Sequence, residues 1–355
     1  MMKKVLFTGG GTAGHVTVNL ALIPKFQREG WETHYIGSRQ GIERELVEKL
    51  DDVHYHWVST GKLRRYLSLE NLKDPFKVLK GIWDAYRVIR RHKPNVIFSK
   101  GGFVTVPVVI GAWLNRVPVL IHESDLTPGL ANRLAVPFAS KVFTTFPETA
   151  NYVKSNKTQY LGAIVRDELK RGDADRGRQF CQLTGDKPVL LVMGGSLGSQ
   201  KLNELIRHNL PALTERFQVI HLCGKNQLAP DLDVEGYRQY EYVNEELPDL
   251  LHLADVIVSR AGSNAIFEFL SLRKPMLLIP LSRAASRGDQ ILNAKSFQKQ
   301  GFADVIEEEE LTEERFLGQL NQLFESKEIY IENMSKIETD QALEQVFQSI
   351  KEHAK

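Results

Sequence analysis

The chain has 355 residues, 42% hydrophobic and 25% charged, with 46 Lys+Arg against 44 Asp+Glu. That length suits two globular domains, and the composition excludes disordered, collagen-like and disulfide-stapled classes. The net charge of +2 hides an asymmetry: residues 1–165 hold 23 basic and 13 acidic side chains, while residues 166–355 hold 23 and 31. A half at +10 and a half at −8 imply different partners, the basic one suiting phosphates or an anionic membrane surface.

Met1-Met2-Lys3-Lys4 runs straight into Val5-Leu6-Phe7, a strand, so no secretory signal is expected. Glycines and a helix to about Arg28 follow, and Thr33–Ile36, Asn95–Phe98, Pro118–Ile121 and Val142–Thr144 repeat the strand theme. Near-continuous β-branched runs separated by helical stretches predict a parallel sheet covered on both faces. The pattern restarts at Pro188–Met193 and continues through Val219–Leu222, Val256–Val258 and Met276–Ile279. The expected class is therefore α/β, with two doubly wound, Rossmann-like parallel-sheet domains and a site in the cleft between their strand ends. The expected boundaries are 1–165 and 166–335, with a final helix at about 336–355 free to pack back on either domain. Residues 104–114 are the longest apolar stretch, broken by Pro107 and too short to span a bilayer. Cys181 and Cys223 sit beside apolar sequence in no metal-ligand spacing and read as buried thiols of a reducing, cytoplasmic compartment.

The chemistry-bearing residues follow strands. Gly9-Gly10-Gly11-Thr12-Ala13-Gly14-His15 lets backbone N–H groups approach an anion at a helix start. A nicotinamide reading lacks its ribose carboxylate, because the second strand ends in Gly37-Ser38-Arg39. His15, at the mouth of this loop, has the near-neutral intrinsic pKa of a general base for a sugar hydroxyl, although a lone histidine is more often a surface or core residue. Ser99-Lys100-Gly101-Gly102-Phe103 reads equally as a ligand-approaching loop or a tight turn. His122-Glu123-Ser124-Asp125 places two carboxylates at a strand end, where burial is costly; alternatively Glu123 and Asp125, the latter above all, cap the helix near Thr127-Pro128. Gly194-Gly195-Ser196-Leu197-Gly198-Ser199 makes a phosphate cradle without the P-loop lysine. Ser263, Asn264 and Ala265 open a helix whose N–H groups suit a diphosphate, Glu268 suits both ribose hydroxyls, and Arg287-Gly288-Asp289-Gln290 suits sugar hydroxyls.

In family order and spacing, GGGTAGH, KGGFVTVP, HESD…TPGLAN, GGSLG, SRAGSNAIFE and GDQ make the chain resemble the MurG family of GT-B glycosyltransferases over nearly its whole length. The resemblance implies inverting transfer of N-acetylglucosamine from UDP-GlcNAc to the muramyl C4 hydroxyl of lipid I, giving lipid II in peptidoglycan synthesis. It implies a catalytic pair, His15 as base and Glu123, and a donor set of Thr12, Ala13, Gly14, Arg166, Ser196, Val243, Ser263, Asn264, Ala265, Glu268 and Gln290. Gly101, Gly102, Asp125 and Asn132 would face the acceptor. No cofactor or tightly bound metal is expected, because helix N-termini and an arginine take the leaving-group charge; Asp173-Ala174-Asp175 and Asp231-Leu232-Asp233 read as solvated pairs. Asp125 stands where many members carry Asn, Ala13 where they carry Gly, and Leu197 and Asp289 where they carry Gln.

A lipid acceptor implies a peripheral enzyme on the cytoplasmic face of the cell membrane, with room for contacts to other cell-wall synthesis proteins. Residues 61–100 carry 11 Lys+Arg and 3 Asp+Glu, interleaved with Tyr66, Leu67, Leu69, Leu72, Phe76, Leu79, Ile82, Trp83 and Tyr86. Residues 76–91 read as an amphipathic helix, either core-packing with a solvated basic face or an anchor in which Phe76, Leu79, Trp83, Arg87, Arg90 and Arg91 meet anionic lipid. No nucleic-acid module accompanies the charge. The rivals are a diacylglycerol sugar transferase, a UDP-sugar epimerase, and a non-catalytic nucleotide-binding protein.

Overall fold

The computed structural model describes residues 2–61, 74–153, 156–195, 198–284, 286–337 and 341–355. The chain divides into unit 1, residues 1–164 with 340–355, and unit 2, residues 165–339. Unit 1 contains strands β1 (Lys4–Thr8), β2 (Glu32–Gly37), β3 (Val53–Trp57), β4 (Val96–Ser99), β5 (Val119–Glu123), β6 (Lys141–Thr144) and β7 (Thr158–Tyr160). Its first helices are α1 (Thr17–Arg28), α2 (Ile42–Val47), α3 (Asp74–His92), α4 (Thr105–Leu114) and α5 (Leu130–Ala135). Unit 2 carries β8 (Val189–Met193), β9 (Gln218–Leu222), β10 (Tyr237–Tyr240), β11 (Val256–Ser259), β12 (Met276–Leu278) and β13 (Ala303–Val305). Its helices are α6 (Ala174–Phe180), α7 (Gln200–His208), α8 (Leu210–Arg216), α9 (Leu247–Leu253), α10 (Ser263–Ser271), α11 (Asp289–Lys299), α12 (Glu313–Glu325) and α13 (Lys327–Ser335). Helix α14 (Ala342–His353) returns to unit 1.

Both sheets are wholly parallel, in the orders β3-β2-β1-β4-β5-β6-β7 and β10-β9-β8-β11-β12-β13. Parallel sheets need helices on both faces, and β1 shows the consequence. Val5 and Phe7 enter one core with Leu22 and Phe26 of α1, while Leu6 enters the other with Val108 and Val109 of α4. In unit 2, Leu190 and Val192 of β8 pack with Ile206, Phe316 and Leu320.

The first unit is completed by the end of the chain. Val346, Phe347 and Ile350 of α14 are buried in the α1 core, with the Phe347 ring 4.6 Å from Phe26. Lys25–Glu344 and Lys351–Glu29 ion pairs, each 2.8 Å, flank that contact. In both units the parallel order brings every loop that follows a strand to the carboxyl edge of its sheet, where open α/β folds bind ligands.

Candidate active site

In unit 1 the glycine loop leaves β1 and passes through a short 3-10 turn, Ala13–His15, into α1. Buried polar side chains hold it from beneath. The Tyr35 hydroxyl donates to the Gly9 carbonyl at 2.7 Å, and Asn19 Nδ2 donates to the Thr8 carbonyl at 3.2 Å. The fully buried Glu43 accepts from Gly11 N (3.2 Å), Ser38 N (2.9 Å) and Ser38 Oγ (2.5 Å). Burial pushes the Tyr35 phenol up, so it stays a neutral donor at physiological pH. Above this base His15 is half-buried, with Nδ1 3.0 Å from Thr12 Oγ1 and its backbone N–H donating to the Thr12 carbonyl at 3.1 Å. Thr12 thereby fixes the orientation of the imidazole.

The loops after β4 and β5 pack beside it. Gly10 N donates to the Gly101 carbonyl at 3.3 Å. Gly102 has φ +90°, and a Cβ there would stand 2.0 Å from the Gly10 carbonyl oxygen, so the approach of the two loops admits glycine alone. Gly101 lies against the Asn132 side chain, which would be 3.1 Å from an added Cβ. Glu123 accepts from Asp125 N and Gly129 N, both 3.0 Å, and from Asn132 Nδ2 at 2.9 Å. The carboxylate that meets the start of α5 is that of Glu123, as the capping alternative had it for this residue. Burial, with the Asp125 charge beside it, pushes the Glu123 carboxyl up.

Lys100 lies in the same cluster, 1% exposed, and its Nζ has no hydrogen-bond partner among the described residues. Burial pushes its ammonium down to about 8, against the pull of Glu123 and then Asp125. His122, 3.1 Å from Thr145 Oγ1, is held neutral by burial and by Lys100. Gly101, Gly102, Glu123, Asp125 and Asn132 thus come together at one edge of unit 1, on a buried polar floor.

In unit 2 the loop after β8 leads into α7, where Ser199 caps the helix by accepting from Leu202 N at 3.4 Å. Ser196 and Leu197 lie outside the described residues. Arg260, buried at the end of β11, ties the carboxyl edge together: it donates to Ser199 Oγ at 2.6 Å and to the Ile279 carbonyl at 2.9 Å. It also pairs with Glu308 at 2.5 Å, and Lys201 reaches Glu308 at 3.1 Å. Burial opposes ionisation of Glu308, but these two cations outweigh it and hold the carboxyl below its usual range.

Helix α10 starts behind Gly262, which brings no capping side chain, with Ser263 buried and Asn264 and Ala265 half-buried in its first turn. One turn in, Glu268 Oε1 accepts from Arg166 Nη2 at 3.1 Å and Nε at 3.3 Å. Burial pushes the Glu268 carboxyl up while Arg166 pulls it back. The sequence assigned these two residues to different parts of a donor; the structure joins them. Gln290, in the first turn of α11, accepts from Leu281 N at 3.1 Å, and Val243 is buried in the loop after β10.

Helix α3 presents two faces. Gly81, Ala85 and Ile89 are buried against the sheet side, and a Cβ at Gly81 would meet the Ser59 carbonyl at 2.1 Å. Asp84 accepts from Ser59 N and Oγ at 3.1 and 2.8 Å. On the other side Phe76, Leu79 and Trp83 are 74%, 63% and 59% exposed, beside exposed Arg87, Arg90 and Arg91. Ile82 and Tyr86 are half-buried, Tyr86 stacking on Trp83 at 5.6 Å. Tyr66, Leu67, Leu69 and Leu72 lie outside the described residues. Asp173 caps α6 by accepting from Asp175 N and Arg176 N, while Asp231 and Asp233 are exposed.

Sequence reasoning missed Asn19, Tyr35 and Glu43, the braces of the glycine loop, and Arg260 as the tie of unit 2. Arg260 lies within SRAGSNAIFE and had a signal, an arginine directly after an apolar strand; the other three had none.

Residues 5–144 match the glycosyltransferase family 28 N-terminal domain and residues 189–352 the family 28 C-terminal domain. The chain is 60% identical over 356 residues, covering all of both chains, to the UDP-N-acetylglucosamine–N-acetylmuramyl-(pentapeptide) pyrophosphoryl-undecaprenol N-acetylglucosamine transferase of Geobacillus kaustophilus. It is 58% identical, over 98% of each chain, to the enzyme of the same name from Oceanobacillus iheyensis. Among solved structures, Acinetobacter baumannii MurG aligns with a TM-score of 0.77 and 25% identity over 99% of both chains. Two glycine-loop α/β units in this order, with full-length identity to those transferases, place the chain in the MurG family of N-acetylglucosamine transferases.

Proposed function

We propose that this chain transfers N-acetylglucosamine from UDP-GlcNAc to the C4 hydroxyl of the N-acetylmuramyl sugar of lipid I, forming lipid II with inversion. The observation that carries this reading is the 60% identity, over the whole chain, to an enzyme named for that transfer.

His15 acts as the base. The Thr12 Oγ1 contact at Nδ1, 3.0 Å, orients the imidazole, and the role requires a ring nitrogen in its unprotonated form to take the proton of the acceptor hydroxyl. Glu123 works one step back, as the positioning residue that holds the 124–132 loop and Asn132 for the acceptor, with Gly101, Gly102 and Asp125 beside them. The departing UDP gains negative charge as its glycosidic bond breaks. The first turn of α10 (Ser263, Asn264, Ala265), Ser196, and Thr12, Ala13 and Gly14 meet that charge with N–H and hydroxyl donors, and Arg166 meets it with its guanidinium. Glu268 gives Oε1 to Arg166 and keeps Oε2 for the ribose hydroxyls, Val243 meets the uracil through its backbone, and Gln290 reads the sugar. In this reading, which follows the family resemblance, those donors and Arg166 stand in for a divalent ion at the diphosphate, and added Mg²⁺ is expected to leave the rate unchanged.

Helix α3 is the membrane contact on the cytoplasmic face. The exposed Phe76, Leu79 and Trp83 enter the headgroup region while Arg87, Arg90 and Arg91 bind anionic lipid, at about 1 kcal/mol per basic residue. No helix among the described residues is long and apolar enough to cross a membrane.

The decisive assay incubates the protein with UDP-GlcNAc and a lipid I analogue and follows UDP. Release that depends on the analogue supports the reading. Release with diacylglycerol in its place, or consumption of UDP-GlcNAc with no acceptor, overturns it in favour of a diacylglycerol transferase or an epimerase. His15→Ala with near-full turnover would remove His15 as base. Reversing Arg87, Arg90 and Arg91 to Glu should weaken binding to anionic liposomes by at least about 100-fold at low salt. Unchanged binding refutes the anchor.

A further inference from the structure

Strands β2 and β3 pair with His34 opposite His54, and the two-residue alternation of a strand puts His34, His54 and His56 on one face of the sheet edge. Helix α3 ends Arg90-Arg91-His92, and its last residue folds over the same face. His34 Nδ1 stands 3.1 Å from His56 Nε2, and the His92 ring centroid is 4.9 Å from that of His34 and 4.5 Å from that of His56. One ring nitrogen from each of the three lies within 4.8 Å of the others. The remaining nitrogen of His34, Nε2, stands 2.9 Å from Glu32 Oε1 but makes no hydrogen bond there, while the other Glu32 oxygen pairs with Lys4 at 2.8 Å.

No step of sugar transfer uses this cluster. His92 ends α3 three residues before Asn95 leads into β4, which puts it at the amino edge of the sheet, opposite the glycine loops. The arrangement is that of a metal centre. Imidazole suits Zn²⁺ and its borderline neighbours. Ligating histidines ordinarily pass their second N–H to a carboxylate, which fixes the ring and raises its basicity, and Glu32 Oε1, 2.9 Å from Nε2, is close enough to accept that N–H once the ring turns to bind an ion. Tetrahedral coordination at about 2.0–2.1 Å separates ligand nitrogens by about 3.3 Å, within reach of the present spacing by small side-chain rotations.

We propose that His34, His56 and His92 bind one divalent transition-metal ion of the Zn²⁺ class, with Glu32 orienting His34 and the fourth position open to water or to His54 at the rim. The ion would rivet the end of α3, the helix with the exposed Phe76, Leu79 and Trp83, to the β2–β3 edge. It is separate from the sugar-transfer site.

The test uses the untagged, chelator-stripped full chain and Zn²⁺ alone, by competition with a chelating dye, with Co²⁺ as a spectroscopic stand-in. The expected result is one ion per chain at micromolar or tighter Kd, with the visible absorption of four-coordinate cobalt. His92→Gln should weaken binding at least tenfold, and Glu32→Gln, which leaves all three ligands in place, by roughly tenfold. Folding of each variant is checked by circular dichroism. Absence of saturable one-to-one binding by the wild-type chain overturns the proposal, and so does undiminished binding in folded His92→Gln. A misfolded His92→Gln leaves the wild-type cobalt spectrum and the Glu32→Gln titration to decide.

Discussion

Replacing Lys100 by methionine should stabilise unit 1 at neutral pH, and the gain should fade in alkali. Lys100 is 1% exposed, and its ammonium is pushed from 10.5 down to about 8. At 1.36 kcal/mol per pKa unit, keeping it charged in the fold costs about 3 kcal/mol at pH 7. The sign follows from proton counting. Between pH 8 and 10.5 the unfolded chain binds more protons than the folded one, so wild-type stability climbs through that window. At pH 10 a residual cost of about 0.8 kcal/mol remains, so the advantage of Lys100→Met should shrink by about 2.5 kcal/mol between pH 7 and 10. The assay is urea unfolding followed by tryptophan fluorescence. Trp31, Trp57, Trp83 and Trp113 all lie in unit 1, so the signal reports that unit alone. A difference between the two proteins that stays flat from pH 7 to 10, within about 1 kcal/mol, would refute the buried-charge argument.

Gly102→Ala, forced to φ +90° with its Cβ 2.0 Å from the Gly10 carbonyl oxygen, should cost unit 1 at least about 2 kcal/mol and abolish turnover; full activity would show that the two loops do not need this approach. Glu268→Gln removes the carboxylate that holds Arg166 and is proposed to meet the donor ribose, so KM for UDP-GlcNAc should rise tenfold or more with acceptor KM little changed. An unchanged donor KM would take Glu268 out of the donor site. Acid should loosen the β2–β3 edge. His34 and His56 are held at about 4 by burial, amid Glu32, Lys4, His54, His92 and Arg91, so they stabilise the fold above 6.5 and this is lost as pH falls from 6.5 toward 4. For His34 that loss is on the order of 2–3 kcal/mol, and fluorescence-monitored unfolding at pH 7 and 4.5, with and without His34→Gln, should show a shallower acid slope in the variant.

The nine strands legible as apolar runs are the interior strands of both sheets, and the four that escaped, β3, β7, β10 and β13, are the four edges. An interior parallel strand is buried on both faces and is mostly apolar, with a few buried polar side chains such as His34. An edge strand has one neighbour and a wet flank, so Val-His-Tyr-His-Trp and Tyr-Arg-Gln-Tyr carry no continuous run to read. The glycine loops were legible for the converse reason, because they follow interior strands. Their braces were not, since Asn19, Tyr35 and Glu43 come from three different elements at no telling spacing. Lys100 ran against expectation, because lysine is the side chain least expected to be buried. Helix α3 showed its periodicity in the sequence but not its orientation. Small Gly81 and Ala85 do the packing and leave the larger Phe76, Leu79 and Trp83 outside.

Helix α14 gives the chain an order of assembly. The core around Phe26 is unfinished until Val346, Phe347 and Ile350 arrive, yet all of residues 165–339 are made first. At the ribosome's 5–20 residues per second, that delay is roughly 10–35 s. Unit 2 has all its strands and can close while it waits, whereas unit 1 stands with an apolar groove beside α1. For that interval the nascent first unit is a client for chaperones, and a ribosome stalled before residue 342 would release a chain whose second half is folded and whose first half is sticky.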